Sequence, residues 1–391
     1  MKRPSMIALC LGLGLLAGCA ATRPLPATVP PQLFADDAFE APAHLVAPAE
    51  VFALSPAMKR YLEVEIASQI RSRGRLRGLI EALHSKAQLH LEFDTDTTRT
   101  AAEAFDARAG NCLSLVVMTA ALAKHLELPL QYQVLIGQET WSRNDNLSII
   151  NGHVNITVDK RLVDRVAGYD PDTALRLEFG TLPAGRGSGL RVVSEATIVA
   201  MFMNNRAAEW LARGELADAY AYARAAVVQA PDHASGYNTL GVVYQRRGLA
   251  DRAESAYRHA LERDMDDRAA LMNLARLLDG QGRAAEAAPL RERLARLEAE
   301  PPFMHFDLGR AAAQAGDFRT ARDEILRELR RDPDYHEFHF WLAVALYGLG
   351  DVERAREHLT TAMQNSTTRR EQALYASKLQ HLPTAAAMRS N

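Results

Sequence analysis

The stretch PDHASGYNTLGVVYQRRGLADRAESAYRHALERD, residues 231–264, decides the architecture of the C-terminal half. It holds two runs of helical character divided at Gly248, and it recurs. Gly214, Gly248, Gly282, Gly316 and Gly350 stand 34 residues apart, and five positions after each comes Ala219, Ala253, Ala287, Ala321 or Ala355. Pro231 and Pro333 fall at equal offsets, where a unit should end. A fixed period of this length is the mark of stacked helix-turn-helix units, each burying its apolar face only against its neighbours. The glycine turns the chain between paired helices, and the alanine lets those helices approach closely. An ordinary helical bundle has no reason to repeat this coincidence at one period.

The pattern resembles the tetratricopeptide repeat. That resemblance implies an all-α repeat solenoid over 199–368 that binds a protein or peptide, with a C-terminal helix and tail at 369–391. The third unit departs from the pattern, with Arg291 where an apolar residue is usual and Ala299 where a proline is usual, and Pro301-Pro302 precede the fourth.

The chain of 391 residues is 48% hydrophobic and 24% charged, enough to bury a core in more than one domain. Its 46 basic and 48 acidic residues leave a formal charge of -2, too weak a field to recruit nucleic acid. At the N-terminus Lys2 and Arg3 precede an apolar run, Met6 to Leu16, that is too short to span a bilayer as a mature helix and has the layout of a signal peptide. The run closes on Leu16-Ala17-Gly18-Cys19, which resembles the lipobox of bacterial lipoproteins. The resemblance implies a signal peptide over 1–19, a lipid on Cys19 and membrane attachment in the bacterial cell envelope. Ala20, rather than Asp, after the cysteine favours the outer membrane facing the periplasm. Residues 20–50, rich in Pro and Ala, are expected to form an extended tether. With Cys10 removed and Cys19 acylated, Cys112 is the single free thiol of the mature chain.

Residues 51–198 mix helix and strand signals. Ser55-Pro56 is a helix start, and the arginines at 71, 73, 75 and 77 lie around two glycines, as in a solvated turn. Thr100-Ala101-Ala102-Glu103 fits a capping box. Leu113 to Leu126 is apolar almost all round, as a helix through a domain centre would be. Strands are expected at Gln131–Ile136, His153–Val158 and Arg176–Phe179. Cys112 then sits at the N-terminus of the buried helix, where free amides and the helix dipole lower a thiol pKa, and His153 on a strand beside Gly152 is the candidate base.

Gly110-Asn111-Cys112-Leu113-Ser114, Glu139-Thr140-Trp141-Ser142-Arg143 and Gly152-His153-Val154-Asn155 resemble the transglutaminase-like superfamily, from about Phe93 to Phe179 and on to Thr197. The resemblance implies an α+β, papain-like cysteine domain with a Cys-His-acid site. Its thiolate would attack an amide or peptide carbonyl, and water or an amine would resolve the acyl-enzyme. Cys112 and His153 match the family motif. The acid position reads Leu177-Glu178-Phe179 where relatives carry Val-Asp-Phe, so Glu178 is favoured and Asp170 is the alternative. Trp141 belongs either to a loop over the cleft or to the core. No cofactor and no metal is implied: His336-Glu337-Phe338-His339 has the wrong spacing for a zinc motif, and Gly185 to Gly189 lacks the lysine of a phosphate loop. Two functions follow, a lipid-anchored periplasmic cysteine hydrolase or acyltransferase whose repeats bind protein, or a non-catalytic envelope adaptor.

Overall fold

A computed structural model describes residues 29–84, 89, 91–94, 97–144, 147–159, 174–177, 189–297, 303–366 and 369–382. Ser55 caps α1 (Pro56–Arg60), its hydroxyl accepting from the Met58 amide at 3.2 Å. One wider turn, Tyr61–Glu65, leads into α2 (Ala67–Arg73), and Gly74 reverses the chain at φ 86° into α3 (Arg75–His84). Of the arginines at this turn, Arg73 pairs with Glu81 of α3 and Arg75 reaches Glu127 at 3.0 Å. Thr100 and Glu103 close the expected capping box over α4 (Ala101–Ala107). Two short parallel strands, β1 (Glu92–Phe93) and β2 (Ala109–Gly110), deliver the chain to α5 (Cys112–His125), which is buried from Leu113 through Ala123.

An antiparallel sheet in the order β5-β4-β3-β6 covers α5, built from β3 (Leu130–Asn144), β4 (Leu147–Asp159), β5 (Ala174–Leu177) and β6 (Gly189–Val193). Val154, Ile156 and Val158 alternate along β4 and are buried, the period-two pattern of a strand with one face on the core. The β3–β4 hairpin runs well past the expected strands, to Asn144 against Leu147, with a register shift between Val134 and Glu139. Trp141 therefore lies on paired β3 backbone opposite Ile150 and not in a loop, and its side chain lies outside the described residues. Of the expected glycine-rich loop only Gly189 is described, as the first residue of β6.

The repeats follow as α6 (Glu195–Arg213), α7 (Leu216–Gln229), α8 (Ala234–Arg247), α9 (Ala250–Arg263), α10 (Arg268–Gly280), α11 (Ala284–Leu297), α12 (Met304–Gln314), α13 (Phe318–Arg331), α14 (His336–Gly348) and α15 (Val352–Asn365), then α16 (Arg369–His381). Ser194 caps α6, so the first unit starts at Glu195 and not at 199. The five period glycines have φ between 76° and 84°, left-handed backbone that a side chain resists. At each, two amides satisfy the carbonyls of the preceding helix end, as Gly214 does to Leu211 and Glu215 to Trp210. The five period alanines are wholly buried.

Two findings depart from the expected layout. The Pro/Ala-rich stretch at 20–50 is, over its described part, no free tether: it lies along α7, α8 and α9, with Leu33 and Ala35 buried and Phe39 stacked on Tyr220 at 4.1 Å. Its scattered apolar residues supply enough buried surface to dock it. The apolar core is also divided, one cluster running from Leu33 to Ala287 and another from Phe303 to Tyr375. The divide coincides with α11, which contains Pro289, buries Ala287 alone and turns Arg291 outward to Asp279.

At Gly241 a Cβ would collide with the buried Tyr257 ring of the paired helix. Gly241→Ala is expected to lower stability by about 1–3 kcal/mol in urea unfolding; an unchanged midpoint would mean that the ring gives way freely. His233, which precedes α8 and feels Arg191 of β6, has its pKa pushed down from 6.5 to about 4, first by burial and then by that arginine. The folded state thus binds the proton less tightly than the unfolded one. Its contribution is complete above about pH 6.5 and is lost toward about pH 4, roughly 3 kcal/mol. His233→Gln should flatten thermal stability across that window.

Candidate functional site

The turn that carries Cys112 is explained residue by residue. A Cβ on Gly110 would stand 2.7 Å from the Ser114 Cβ, so only glycine lets β2 pass the first turn of α5. Asn111 caps that helix: its Oδ1 accepts from the Ser114 amide at 2.9 Å and from the Ser114 hydroxyl at 2.8 Å. The Ser114 oxygen in turn accepts from the Arg99 amide at 2.8 Å. Cys112 follows as the first helical residue, the position the sequence assigns it.

Three backbone amides reach the Cys112 sulfur, those of Val154, Leu113 and Cys112 itself, and each favours the thiolate. Burial outweighs them and pushes the thiol pKa up, opposite to the lowering expected from the helix terminus. The Val154 amide matters for a second reason. It brings β4 onto the sulfur one residue after His153, so the strand carrying the candidate base passes the thiol. The His153 imidazole lies outside the described side chains, and Glu178, Asp170 and Cys19 lie outside the described residues.

Sequence alone did not reveal what holds this turn from behind. The Asn111 Nδ2 donates to the Thr98 hydroxyl at 2.9 Å, and the Thr98 amide donates to Glu209 Oε1 at 2.6 Å. The Thr98 hydroxyl also favours the charged form of Glu209, as a donor to it would. Glu209 sits on α6, in the first repeat, and its other oxygen takes the Arg206 guanidinium at 3.0 Å. Burial raises the Glu209 pKa even so. Nothing in the 34-residue period marks Glu209; a carboxylate in a helix otherwise buried on several sides was the available signal.

The zinc-like histidines are satisfied within the repeats. His339 bonds the Pro333 carbonyl at 2.8 Å and the His358 ring at 2.9 Å, and His336 meets the Tyr375 hydroxyl at 2.9 Å. Among the described residues no group of three or more His, Cys, Asp or Glu is placed to hold a metal ion.

Iodoacetamide labelling of Cys112 across pH tests the balance at the sulfur. The midpoint should lie above that of a free cysteine, about 8.5. A midpoint below neutrality would show that an imidazole partner overrides burial.

Residues 238–301 and 306–368 match the family model described as tetratricopeptide repeat. Among curated proteins, the chain is 36% identical over 122 residues to cellulose synthase operon protein C of Xanthomonas axonopodis pv. citri, which covers 29% of this chain and 8% of that protein. It is 32% identical over 101 residues to a tetratricopeptide-repeat-containing thioredoxin of Arabidopsis thaliana, covering 26% of this chain and 15% of that one. The chain thus spans a small fraction of either relative. Among solved structures, a thermophilic repeat protein of Thermus thermophilus is similar at 17% identity and a TM-score of 0.31, covering 46% of this chain and 99% of that one. The repeat protein YrrB, described as having an unusual peptide-binding site, is similar at 22% identity and a TM-score of 0.25, covering 46% of this chain and 92% of that one. The C-terminal part of this chain is an all-helical tetratricopeptide-repeat solenoid.

Proposed function

We propose that this chain is a protein- or peptide-binding scaffold of the bacterial envelope, attached to a membrane through a lipid on Cys19 and recruiting its partner through the repeats. The observation that carries it is the repeat array itself, whose five glycine turns and five buried alanines stack paired helices into an extended surface. Leu308 on α12 and Tyr347 on α14 are large and exposed, and they mark where that surface is open. Val29 lies ten positions after Cys19, a span of at most about 36 Å, which would keep the first repeats close to the bilayer.

A second function has one specific observation in its favour. The Val154 amide on the Cys112 sulfur brings the His153 strand to the thiol, as a transglutaminase-like cysteine site with Cys112, His153 and Glu178, or Asp170 in place of Glu178, would require. Such a site would hydrolyse or transfer an amide acyl group. The tetratricopeptide-repeat match over residues 238–301 and 306–368 supports the scaffold as the leading function.

Two measurements in the host envelope decide. A photo-crosslinking residue placed at Leu308 or Tyr347 should give one discrete protein adduct, and no adduct at either position counts against the scaffold. Cys112→Ala should complement a deletion as well as wild type does. Loss of complementation at normal protein level would establish the thiol function instead.

A further inference from the structure

The N-terminal stretch from Gln32 to Val46 is held on the first two repeats mainly through its backbone. The Ala35 amide donates to the Tyr220 hydroxyl at 3.0 Å, the His44 amide to Asp218 Oδ1 at 2.7 Å and the Val46 amide to the Tyr222 hydroxyl at 3.0 Å. In the other direction the Tyr244 hydroxyl donates to the Leu33 carbonyl at 2.7 Å, Tyr222 to the His44 carbonyl at 2.8 Å and Arg247 to the Ala38 carbonyl at 3.2 Å. Arg252 takes the carbonyls of Gln32 and Phe34. Every donor or acceptor on the repeat side is a side chain of α7, α8 or α9. No strand pairing is involved.

The side chains of the stretch are read at few points. Asp36 receives the Tyr220 hydroxyl at 2.6 Å and pairs with Arg224 at 2.9 Å, and Arg224 also lies over the Phe34 ring. Phe39 stacks on Tyr220, and the His44 ring stacks on Trp210 at 4.8 Å. Leu33 is buried. Helix side chains that grip main-chain atoms, with a few apolar seats and one acidic contact, are what the capture of an extended peptide needs. With no strand beside it, the partly buried main chain of the segment is satisfied by these helix side chains.

We infer that the face formed by α7, α8 and α9 is a binding site for extended peptides that carry an acidic residue between aromatic or aliphatic ones, and that residues 32–46 are its ligand in cis. The inference rests on the repeats being a binding module and assigns that module a site and a ligand class. Tyr220, Tyr222 and Tyr244 form the grip, and a peptide of the same chemistry in trans competes with the resident segment.

The test uses the full chain and a fluorescent synthetic peptide matching residues 30–47. The triple variant Leu33→Ser, Phe34→Ser, Phe39→Ser should bind this peptide with a micromolar dissociation constant by anisotropy, and wild type at least about tenfold more weakly because its site is filled. Adding Tyr220→Phe, Tyr222→Phe and Tyr244→Phe to the triple variant should weaken binding by a further tenfold or more, about 1.4 kcal/mol. Equal binding to wild type and triple variant, or no binding by a triple variant that keeps its helical signal and unfolding midpoint, overturns the inference. Should the triple variant unfold, hydrogen exchange on wild type decides. Excess peptide must then speed exchange at Ala35, His44 and Val46 while α7 to α9 stay protected, and unchanged exchange at saturating peptide overturns it. The experiment supplies its own ligand, so it is decided whether or not an outside partner exists. Adducts at Leu308 or Tyr347 stand or fall separately.

Discussion

Helix α6 is held at both ends by carboxylates that belong to one part of the molecule and grip another. At its start Glu195 takes Lys124 of α5 at 2.8 Å and the Tyr132 hydroxyl of β3 at 2.9 Å. Near its end Glu209 takes the Thr98 amide and Arg206. Between them Ile198, Phe202, Met203 and Ala207 are wholly buried, and the same helix pairs with α7 to open the repeats. Burying Glu209 costs desolvation, which is why its pKa rises, and an amide, a hydroxyl and a guanidinium offset part of that cost. The first repeat is therefore part of the support of the Cys112 turn and not an appendage to it.

What could be read from the chain divides by the range of the forces involved. The repeat period was readable because it is set by local geometry: a left-handed residue every 34 positions and a side chain no larger than a methyl where two helices touch. The caps at Ser55, Thr100 and Asn111 were equally local, each decided within three residues. The docking of residues 32–46 was not, since its partners lie more than 170 positions away and its composition alone resembles a linker. Phe34 and Phe39 were the one hint, because two aromatic rings in a Pro/Ala-rich segment ask for somewhere to go. The length of the β3–β4 hairpin escaped for a similar reason. Its outer half on β3, Glu139 to Asn144, is mostly polar, and pairing with the neighbouring strand decides the conformation there.

The Gly110-Asn111-Cys112 motif shows how a structural need and a chemical one converge on the same residues. Gly110 is required by its approach to Ser114 and Asn111 by the helix cap, so two of the three positions follow from packing whether or not the thiol reacts. Only Cys112 is left for chemistry to explain. There the helix dipole, worth about 0.3–1 kcal/mol at an open terminus, acts on a half-buried thiol, and the desolvation of a thiolate is the larger quantity. The three amides on the sulfur reduce that cost without reversing it. A nucleophile at this position needs a cation beside it, and the strand that supplies the Val154 amide also carries, one residue earlier, the side chain able to become one. Packing and capping thus account for the turn itself, whatever the chemistry of the thiol it carries.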